Sequence, residues 1–487
     1  MSSVLEAFRE NASMNPKRLC FGDKNKSVTY EEAWKAIVNI SGVLKNKGIK
    51  RQDRIILKAS PKTEYLILYY AIQLAGASVC PVDKTLKSEK LQEVAWDLDS
   101  NVIISERKIS GLNKVNFTYD ELMDEAVGNF ECTFPESEDT VEILYTTGTT
   151  GKSKGIEMSA DGNVHLAQNV VDSVKLQPDD CELVATALHH TLSVRRVCGA
   201  VYNGSSVVIS DGVRYLNDFF GLMDKYNVTA ITLVPAMLEQ IFQKAEDKLA
   251  EYRDRIRFIQ LSSAPLSENN KEKLIELLPE SRLYNVYGMT ESGCTLIHDF
   301  NKYRNKPNCV GRLTVNTEIL FVDDNRKCIE TTKDNPGWMA FKGKMNMKRY
   351  FNDPDRTAEV IDEAGVVYTN DYGYMDEDGF VYLLGRKGEV INIGGVKVSP
   401  SEIEEIANMY PDVKETACIA IKDEIVGERL MMFVVMKENC VFEKNKFMNF
   451  LGEKTESIKV PRDYKVIDRI PRTFNGKIIR NELRKMV

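Results

Sequence analysis

The segment 144–155, which reads Leu-Tyr-Thr-Thr-Gly-Thr-Thr-Gly-Lys-Ser-Lys-Gly, concentrates groups that can bind phosphate. Glycines allow backbone N–H groups to turn toward an anion, and the hydroxyls add further hydrogen-bond donors. Lys152 and Lys154 supply positive charge. This composition predicts a loop that binds a polyphosphate. The alternative is a Gly/Thr-rich surface turn without a ligand.

The residues Gly151-Lys152-Ser153 match the end of a Walker loop pattern. Such a loop needs a glycine five residues before Gly151, and position 146 is threonine. A Walker loop also joins a strand to a helix, whereas residues 141–145 and 155–158 both have the composition of short strands. We therefore expect a loop between two strands. A nucleotide-binding regulatory or kinase-like protein built on a Walker loop is the disfavoured alternative.

Two carboxylates follow β-rich runs further along the chain. Glu291 ends the segment Tyr-Asn-Val-Tyr-Gly-Met-Thr-Glu, in which Thr290 places a hydroxyl beside it. A hard cation that bridges phosphates prefers oxygen ligands and needs few from the protein. Asp371 lies at a turn within residues 368–373, and a carboxylate can accept hydrogen bonds from both hydroxyls of a ribose. These residue types could bind a metal ion and a ribose, although a lone Thr-Glu pair is more often the solvated start of a helix.

The composition limits the class of protein. A chain of 487 residues is expected to form two or more domains. Its 43% hydrophobic and 28% charged residues are ordinary for a globular enzyme. The formal net charge of −7 argues against a nucleic-acid binder, so an anionic ligand must be held by local lysines and arginines.

Targeting and redox signals are weak. The first residues lack the regions of a signal peptide, and the apolar run 65–82 contains Gln73 and Gly76. That run is too short and too polar for an integral membrane segment and predicts a buried helix followed by a strand. The ten cysteines form no CxxC pair and only four histidines occur, so we expect reduced thiols, no zinc and a cytoplasmic protein.

The order of the elements predicts an α/β fold. Amphipathic helices alternate with β-rich runs on both sides of the phosphate loop, which is typical of layered, mostly parallel sheets. Short, turn-rich strands over about 316–384 indicate a small β-subdomain. The last hundred residues have the pattern of a compact α+β domain.

In their order and spacing, these segments resemble the adenylate-forming superfamily of acyl-CoA synthetases, aryl-CoA ligases, peptide-synthetase adenylation domains and luciferases. Two further segments contribute: Ser-Ser-Ala-Pro-Leu at 262–266 and the run 470–480, which carries Lys477 on an Asn-Gly turn. The resemblance extends from about residue 25 to the C-terminus and is strongest to acyl- or aryl-CoA ligases.

The resemblance implies a division of the chain. Residues 1–385 would form a large N-terminal domain that binds ATP and the acid, and residues 389–487 a small mobile C-terminal domain that carries the adenylation lysine. A hinge would lie at residues 386–388. Gly388 stands where relatives usually have aspartate or lysine, so it allows wide backbone rotation but offers no side-chain latch.

The same resemblance assigns roles to single residues. Lys477, Glu291 and Thr290 would be catalytic, and Glu291 would also bind Mg²⁺. Asn285 would contact adenine and Tyr287 would stack on it. Serine stands at 262 and 263, where relatives usually carry glycine, and asparagine at 370. The nucleotide-binding positions implied in this way are Thr146, Thr147, Gly148, Thr149, Thr150, Lys154, Ser263, Ala264, Pro265, Asn285, Tyr287, Gly288, Met289, Asp371 and Arg386.

The implied reaction has two steps. A carboxylate attacks the α-phosphate of ATP with Mg²⁺ present, which gives an acyl-adenylate and pyrophosphate. A thiol then attacks the adenylate carbonyl and releases AMP. The expected acceptor is coenzyme A; the alternative is the phosphopantetheine of a carrier protein. Nothing in the sequence favours the oxygenase chemistry of luciferases.

The resemblance also places the acid pocket at 187–196. His190 would be a wall or gate of this pocket rather than a base, and an amino-acid substrate is disfavoured because relatives that use one carry aspartate there. Arg195 and Arg196 would either pair with acidic surface neighbours or, for Arg195, face a second carboxylate or polar tail of the acid. The other expected lining residues are Thr232, Ala236, Ser263, Met289 and Cys294.

Overall fold

The computed structural model describes residues 1–111, 114–128, 131–147, 153–387, 389–393, 396–423, 427–472 and 478–487. The helices within these residues are α1 (Val4–Met14), α2 (Tyr30–Asn46), α3 (Thr63–Leu74), α4 (Ser88–Asp97), α5 (Tyr119–Met123), α6 (Ala160–Val174), α7 (Thr191–Asn203), α8 (Leu216–Lys225), α9 (Pro235–Ala245), α10 (Glu268–Leu277), α11 (Pro354–Val360), α12 (Pro400–Asn408), α13 (Lys444–Gly452) and α14 (Arg480–Arg484). Two short 3₁₀ helices span Lys248–Tyr252 and Ser457–Lys459.

The strands of the described residues, in chain order, are β1 (Leu19–Gly22), β2 (Ser27–Thr29), β3 (Arg54–Lys58), β4 (Ser78–Val82), β5 (Val102–Ser105), β6 (Val115–Thr118), β7 (Thr140–Thr147), β8 (Ser153–Ser159), β9 (Cys181–Val184), β10 (Ser206–Ile209), β11 (Ala230–Leu233), β12 (Phe258–Ser262), β13 (Arg282–Met289), β14 (Gly293–Asp299), β15 (Cys309–Leu313), β16 (Glu318–Val322), β17 (Gly337–Lys342), β18 (Arg349–Tyr350), β19 (Val366–Met375), β20 (Val381–Arg386), β21 (Ile391–Ile393), β22 (Val396–Val398), β23 (Val413–Asp423), β24 (Gly427–Met436) and β25 (Asp463–Val466).

The largest sheet has thirteen strands in the order β16-β17-β19-β20-β15-β14-β13-β12-β11-β9-β10-β1-β2. Its run from β13 to β1 is parallel. The strands of the predicted β-subdomain from β16 to β20, apart from β18, are antiparallel and extend this sheet through the β15–β20 pair. The predicted α/β fold with large layered sheets is confirmed. In this sheet the parallel pairs are those between β13 and β1, and the other pairs are antiparallel.

A second sheet has seven strands in the order β18-β8-β7-β4-β3-β5-β6. Helices α2, α3 and α7 contribute to the core that lies between it and the large sheet, together with residues of α1 and α6. Helices α6 and α7 pack so closely that a Cβ on Gly199 would lie 2.4 Å from Val170 Cγ1. These helices therefore form the central layer of the N-terminal part.

The remaining strands, β21 to β25, form a separate five-stranded sheet in which β22-β21-β24-β23 follow one another and β25 pairs with β24. Helices α12 and α13 contribute to its core. The apolar run 65–82 is buried helix α3 followed by strand β4, as predicted. No helix in the described ranges is long and apolar enough to cross a membrane. All ten cysteines are free.

Candidate functional site

The predicted phosphate loop connects two paired strands. Strands β7 and β8 are antiparallel, with Thr146 opposite Lys154 and Thr147 opposite Ser153. Because the strands meet directly at the base of the loop, the sequence prediction of a strand-loop-strand arrangement is confirmed. The predicted positions Gly148, Thr149 and Thr150, as well as Lys152, lie outside the described residues.

Lys154, on strand β8 of this hairpin, contacts the predicted metal ligand Glu291. Its Nζ lies 2.6 Å from Glu291 Oε1, although the two residues are far apart in the sequence. Tyr350 joins them: its hydroxyl accepts a hydrogen bond from Lys154 Nζ and donates one to Glu291 Oε1, both at 2.7 Å. Burial, and next the Glu291 carboxylate, raise the pKa of Tyr350, so its hydroxyl stays protonated.

We call Lys154, Glu291 and Tyr350 the phosphate cluster. Glu291 is only 5% exposed, and its carboxylate is a hard oxygen donor that suits Mg²⁺, while the Tyr350 hydroxyl orients it. Among the described residues, no group of three or more His, Cys, Asp or Glu could hold a metal. This donor set fits a Mg²⁺ ion that takes most of its ligands from phosphates and water. Tyr350 was missed by sequence reasoning.

A second group of predicted residues meets at Asp371. Asp371 on β19 lies directly opposite Arg386 on β20, and Arg386 Nε donates to Asp371 Oδ1 at 2.8 Å. The Tyr287 hydroxyl donates to Asp371 Oδ2 at 2.5 Å. Asp371 raises the pKa of Arg386, and burial raises the pKa of Tyr287. We call these three residues the ribose cluster; the Tyr287 hydrogen bond was not predicted.

One short segment connects the two clusters. Strand β13 carries Tyr287 into the ribose cluster, and the turn after it carries Glu291 into the phosphate cluster. The turn requires glycine because a Cβ on Gly288 would lie 1.9 Å from the Gly293 carbonyl oxygen. Met289 and Thr290 are half-buried between the clusters.

The predicted adenine wall follows strand β12. This strand is parallel to β13, with Leu261 opposite Asn285. Ser262 Oγ donates to the Val286 carbonyl at 2.9 Å. Ser263 has a φ of 79°, a left-handed conformation that glycine adopts freely and serine does not. The family preference for glycine at this position therefore has a local physical reason. Ala264 is half-buried and Pro265 is exposed.

His190 is the N-cap residue of α7, and the centroid of its ring lies 4.1 Å from the centroid of the His189 ring. Burial, and next His190, lower the pKa of His189 to about 4, while burial also lowers the pKa of His190. His189 Nε2 lies 3.6 Å from Asp83. Both rings are therefore neutral near pH 7, which suits the wall of an acid pocket. Ala236 is half-buried in the first turn of α9.

The two arginines of α7 pair with acidic residues, as one sequence expectation held, but these pairs are buried and not at the surface. Arg195 is buried and binds Glu142, with Nη2 at 2.5 Å from Oε1, and it also donates to Asn163 at 2.9 Å. Arg196 is buried and binds Glu182. Neither arginine lies at the surface, and the guanidinium of Arg195 binds a glutamate of the protein. The ion pairs satisfy charges that could not otherwise be buried.

Lys477 and Gly388 lie outside the described residues. On the two sides of the lysine segment, Arg472 and Ile478 form an antiparallel bridge. Arg480 Nη1 binds Glu404 at 2.5 Å and the Cys418 carbonyl at 2.7 Å. The described flanks of the segment are thus attached to the C-terminal sheet.

Comparisons with known proteins agree with this architecture. The family model for AMP-binding enzymes matches residues 8–351, and the model for their C-terminal domain matches residues 402–477. A 2-succinylbenzoate–CoA ligase of Bacillus cereus (strain Q1) is 27% identical over 100% of this chain and 99% of its own. A 4-coumarate–CoA ligase of Narcissus pseudonarcissus is 26% identical over 95% of this chain and 89% of its own.

Solved structures show the same fold. ATP-bound MatB from Rhodopseudomonas palustris matches with a TM-score of 0.89 at 22% identity, over 99% of both chains. The O-succinylbenzoate CoA synthetase of Bacillus subtilis, in complex with ATP and magnesium, matches with a TM-score of 0.84 at 23% identity, over 98% of this chain and 99% of its own. Since the family model covers more than half of the sequence, the chain belongs to the AMP-binding enzyme family.

Proposed function

We propose that the protein activates a carboxylic acid with ATP and transfers the acyl group to coenzyme A, releasing pyrophosphate and then AMP. The observation that carries this proposal is the connection of the ribose and phosphate clusters by residues 287–291. Tyr287 and Glu291 are separated by at most about 14 Å of extended chain. A nucleotide can therefore place its ribose at one end of this segment and its phosphates at the other.

In the first step, the acid carboxylate attacks the α-phosphorus and pyrophosphate leaves. Reactions of this kind depend mainly on positioning and charge neutralisation. Asp371 and Arg386 would hold the ribose, while Lys154 and the threonines of the loop would hold the departing phosphates. Mg²⁺ at Glu291 would neutralise phosphate charge. We assign Lys477 to the α-phosphate, where its ammonium would stabilise the developing charge.

In the second step, the thiol of coenzyme A loses its proton and attacks the adenylate carbonyl, and AMP leaves. We propose that residues 389–487 rotate against residues 1–385 between the steps, with the hinge at 386–388. Rotation at Gly388 would withdraw Lys477 and bring Gly394 and Gly395 toward the thiol. The absence of a Cβ at the hinge allows a large change in φ and ψ.

Coenzyme A is the acceptor that the relatives favour. Both curated relatives described above are named as CoA ligases and match almost the entire chain. Loading of a carrier protein shares the first step but has no such support. The ten free cysteines fit a reducing compartment, and we propose that the protein acts in the cytoplasm.

The proposal is tested by measuring AMP release over a panel of carboxylic acids, with coenzyme A, holo-carrier protein or no thiol. We expect release that requires both an acid and coenzyme A, together with acid-dependent ATP–pyrophosphate exchange without a thiol. Asp371→Ala should raise the KM for ATP at least about tenfold, because hydrogen bonds to a charged group contribute roughly 1.5–3 kcal/mol each. If none of the acids in the panel supports ATP–pyrophosphate exchange, the proposal is refuted. If the acyl group is transferred only to the carrier protein, the carrier's phosphopantetheine and not coenzyme A is the acceptor.

A further inference from the structure

One side of α7 faces the parallel part of the large sheet. Ser193 and Arg196 are three residues apart and are neighbours on one side of the helix, and His190 is its N-cap residue. Ser193 and Thr186 share a hydrogen bond of 2.6 Å between their hydroxyls. His190, at the N-terminal end of α7, belongs to the predicted acid pocket, and Arg196 lies further along the same helix.

Arg196 donates hydrogen bonds to two strands, and its partner Glu182 is bound by a third. Its Nε and Nη2 donate to Glu182 of β9 at 2.7 and 2.6 Å, and its Nη1 donates to Gln260 of β12 at 2.9 Å. Thr232 of β11 donates to Glu182 at 2.6 Å. We call Arg196, Glu182, Gln260 and Thr232 the arginine floor.

The arginine floor is buried, and each guanidinium nitrogen of its arginine makes a hydrogen bond. Arg196 is 1% exposed and Glu182 and Thr232 are 0% exposed. Every guanidinium nitrogen of Arg196 has a partner in Glu182 or Gln260. Glu182 already neutralises the charge of Arg196, so the floor is suited to act as a wall instead of as a binding site for a carboxylate.

One residue predicted to line the acid pocket, Thr232, is a member of this floor. Strands β9, β11 and β12 are parallel, and each contributes one floor residue before its carboxyl end. The predicted pocket residues His190, Ala236 and Ser263 come after the carboxyl ends of these strands. An acid that enters at these ends and extends inward meets the floor.

We propose that the arginine floor closes the inner end of the acid pocket and restricts the enzyme to short or compact acids. This inference rests on the proposed function and specifies the size of the carboxylic acid that the enzyme accepts. A longer alkyl chain would have to separate a buried ion pair or leave hydrogen-bonding groups without partners, and both changes are unfavourable.

The test compares kcat/KM for straight-chain acids of increasing length, measured as acid-dependent AMP release with coenzyme A. Arg196→Ala/Glu182→Ala removes both charges together and opens space. Relative to the shortest acid used, the longer acids should gain at least about tenfold, the usual effect of one methylene in a pocket. Arg196→Met/Glu182→Leu retains the volume and should keep the length limit.

Arg195→Ala/Glu142→Ala is the matched control, because it removes the neighbouring buried ion pair on another side of α7. This control should change all acids by a similar factor. Equal length profiles for the wild type, the control and Arg196→Ala/Glu182→Ala would overturn the proposal. So would a wild-type enzyme that uses long acids as well as short ones.

The wild-type protein gives an independent measurement if the variants do not fold. Acyl-sulfamoyl adenosines, which mimic the acyl-adenylate without reacting, can be titrated by calorimetry. Their affinity should fall at least about tenfold once the chain passes the length limit. A steady rise in affinity with length would overturn the arginine floor as a limit. Loss of AMP release with every acid would instead refute the proposed function.

Discussion

Arg195 and Arg196 are adjacent in α7, yet their guanidinium groups bind glutamates of two different sheets. Arg195 binds Glu142 of β7 in the seven-stranded sheet, and Arg196 binds Glu182 of β9 in the thirteen-stranded sheet. Successive helical residues point in different directions, so one helix can attach to both layers. Since β7 leads into the phosphate loop, the Arg195 pair also connects this loop to the helix that follows His190.

Glu142→Ala should destabilise the protein strongly, because it leaves Arg195 buried without its carboxylate. The Tyr69 hydroxyl, which also donates to Glu142, would lose its partner. We expect the free energy of unfolding to fall by about 3–5 kcal/mol, measured by chemical denaturation. Glu142→Leu/Arg195→Leu removes both charges and should be less harmful. A larger loss in the double variant would contradict this explanation.

Tyr350→Phe should slow acid-dependent ATP–pyrophosphate exchange by roughly tenfold, because a hydrogen bond to a charged group contributes about 1.5–3 kcal/mol. The hydroxyl that orients Glu291 and Lys154 would be lost while both charges remain. The matched control is Tyr368→Phe, which removes a hydroxyl bound to Asp362 at 2.9 Å outside the site. Equal exchange rates in the two variants would remove Tyr350 from the phosphate cluster.

The sequence predicted the strand-loop-strand setting because strand composition and glycine spacing are local signals. It also placed Lys154 and Glu291 at the phosphates and metal ion of one nucleotide site, and Asp371 and Arg386 at its ribose, and the structure brings each pair together. Both pairs could be found because their segments resemble those of a known family.

The contacts that were missed depend on tertiary structure. Tyr350 reaches Glu291 only because the two-residue strand β18 pairs with β8. The glutamates that bind Arg195 and Arg196 lie in buried strands, where an isolated charge is normally unfavourable. A sequence pattern cannot show that each glutamate faces an arginine of a distant helix.

Ser263→Gly should raise the free energy of unfolding by up to about 1 kcal/mol, because glycine adopts a positive φ without strain but loses more entropy on folding. Ser262→Gly should instead destabilise, since Ser262 lies in a strand and donates to the Val286 carbonyl. Thermal unfolding of both variants at one pH gives the comparison. A Ser263→Gly variant that is as destabilised as Ser262→Gly would rule out strain at residue 263.

Glu405 should make stability depend on pH. Burial, opposed by Lys271 and assisted by Glu268, Glu404 and Glu402, raises the pKa of its carboxyl from 4.5 to about 7. Between these values the folded protein retains a proton that the unfolded chain has lost. Stability therefore falls as the pH rises through this window, and the loss is complete above the folded pKa.

Glu405→Gln removes this charge. Its melting temperature should exceed that of the wild type at pH 8 and approach it at pH 5, as measured by calorimetry. Glu453→Gln, at an exposed position after α13, is the control and should follow the wild type at both pH values. If Glu405→Gln also follows the wild type at pH 8, Glu405 does not titrate in this window.

Lys477→Ala should lose acid-dependent ATP–pyrophosphate exchange by about 10²–10³, the usual effect of removing one donor that stabilises developing charge. The lysine is proposed to leave with the C-terminal domain after the first step. The variant, given a chemically made acyl-adenylate, should therefore still transfer the acyl group to coenzyme A. Lys485→Ala, which removes an exposed lysine paired with Glu482, should retain both steps. Near-normal exchange in Lys477→Ala, or thioester formation damaged as severely as adenylation, would contradict this assignment.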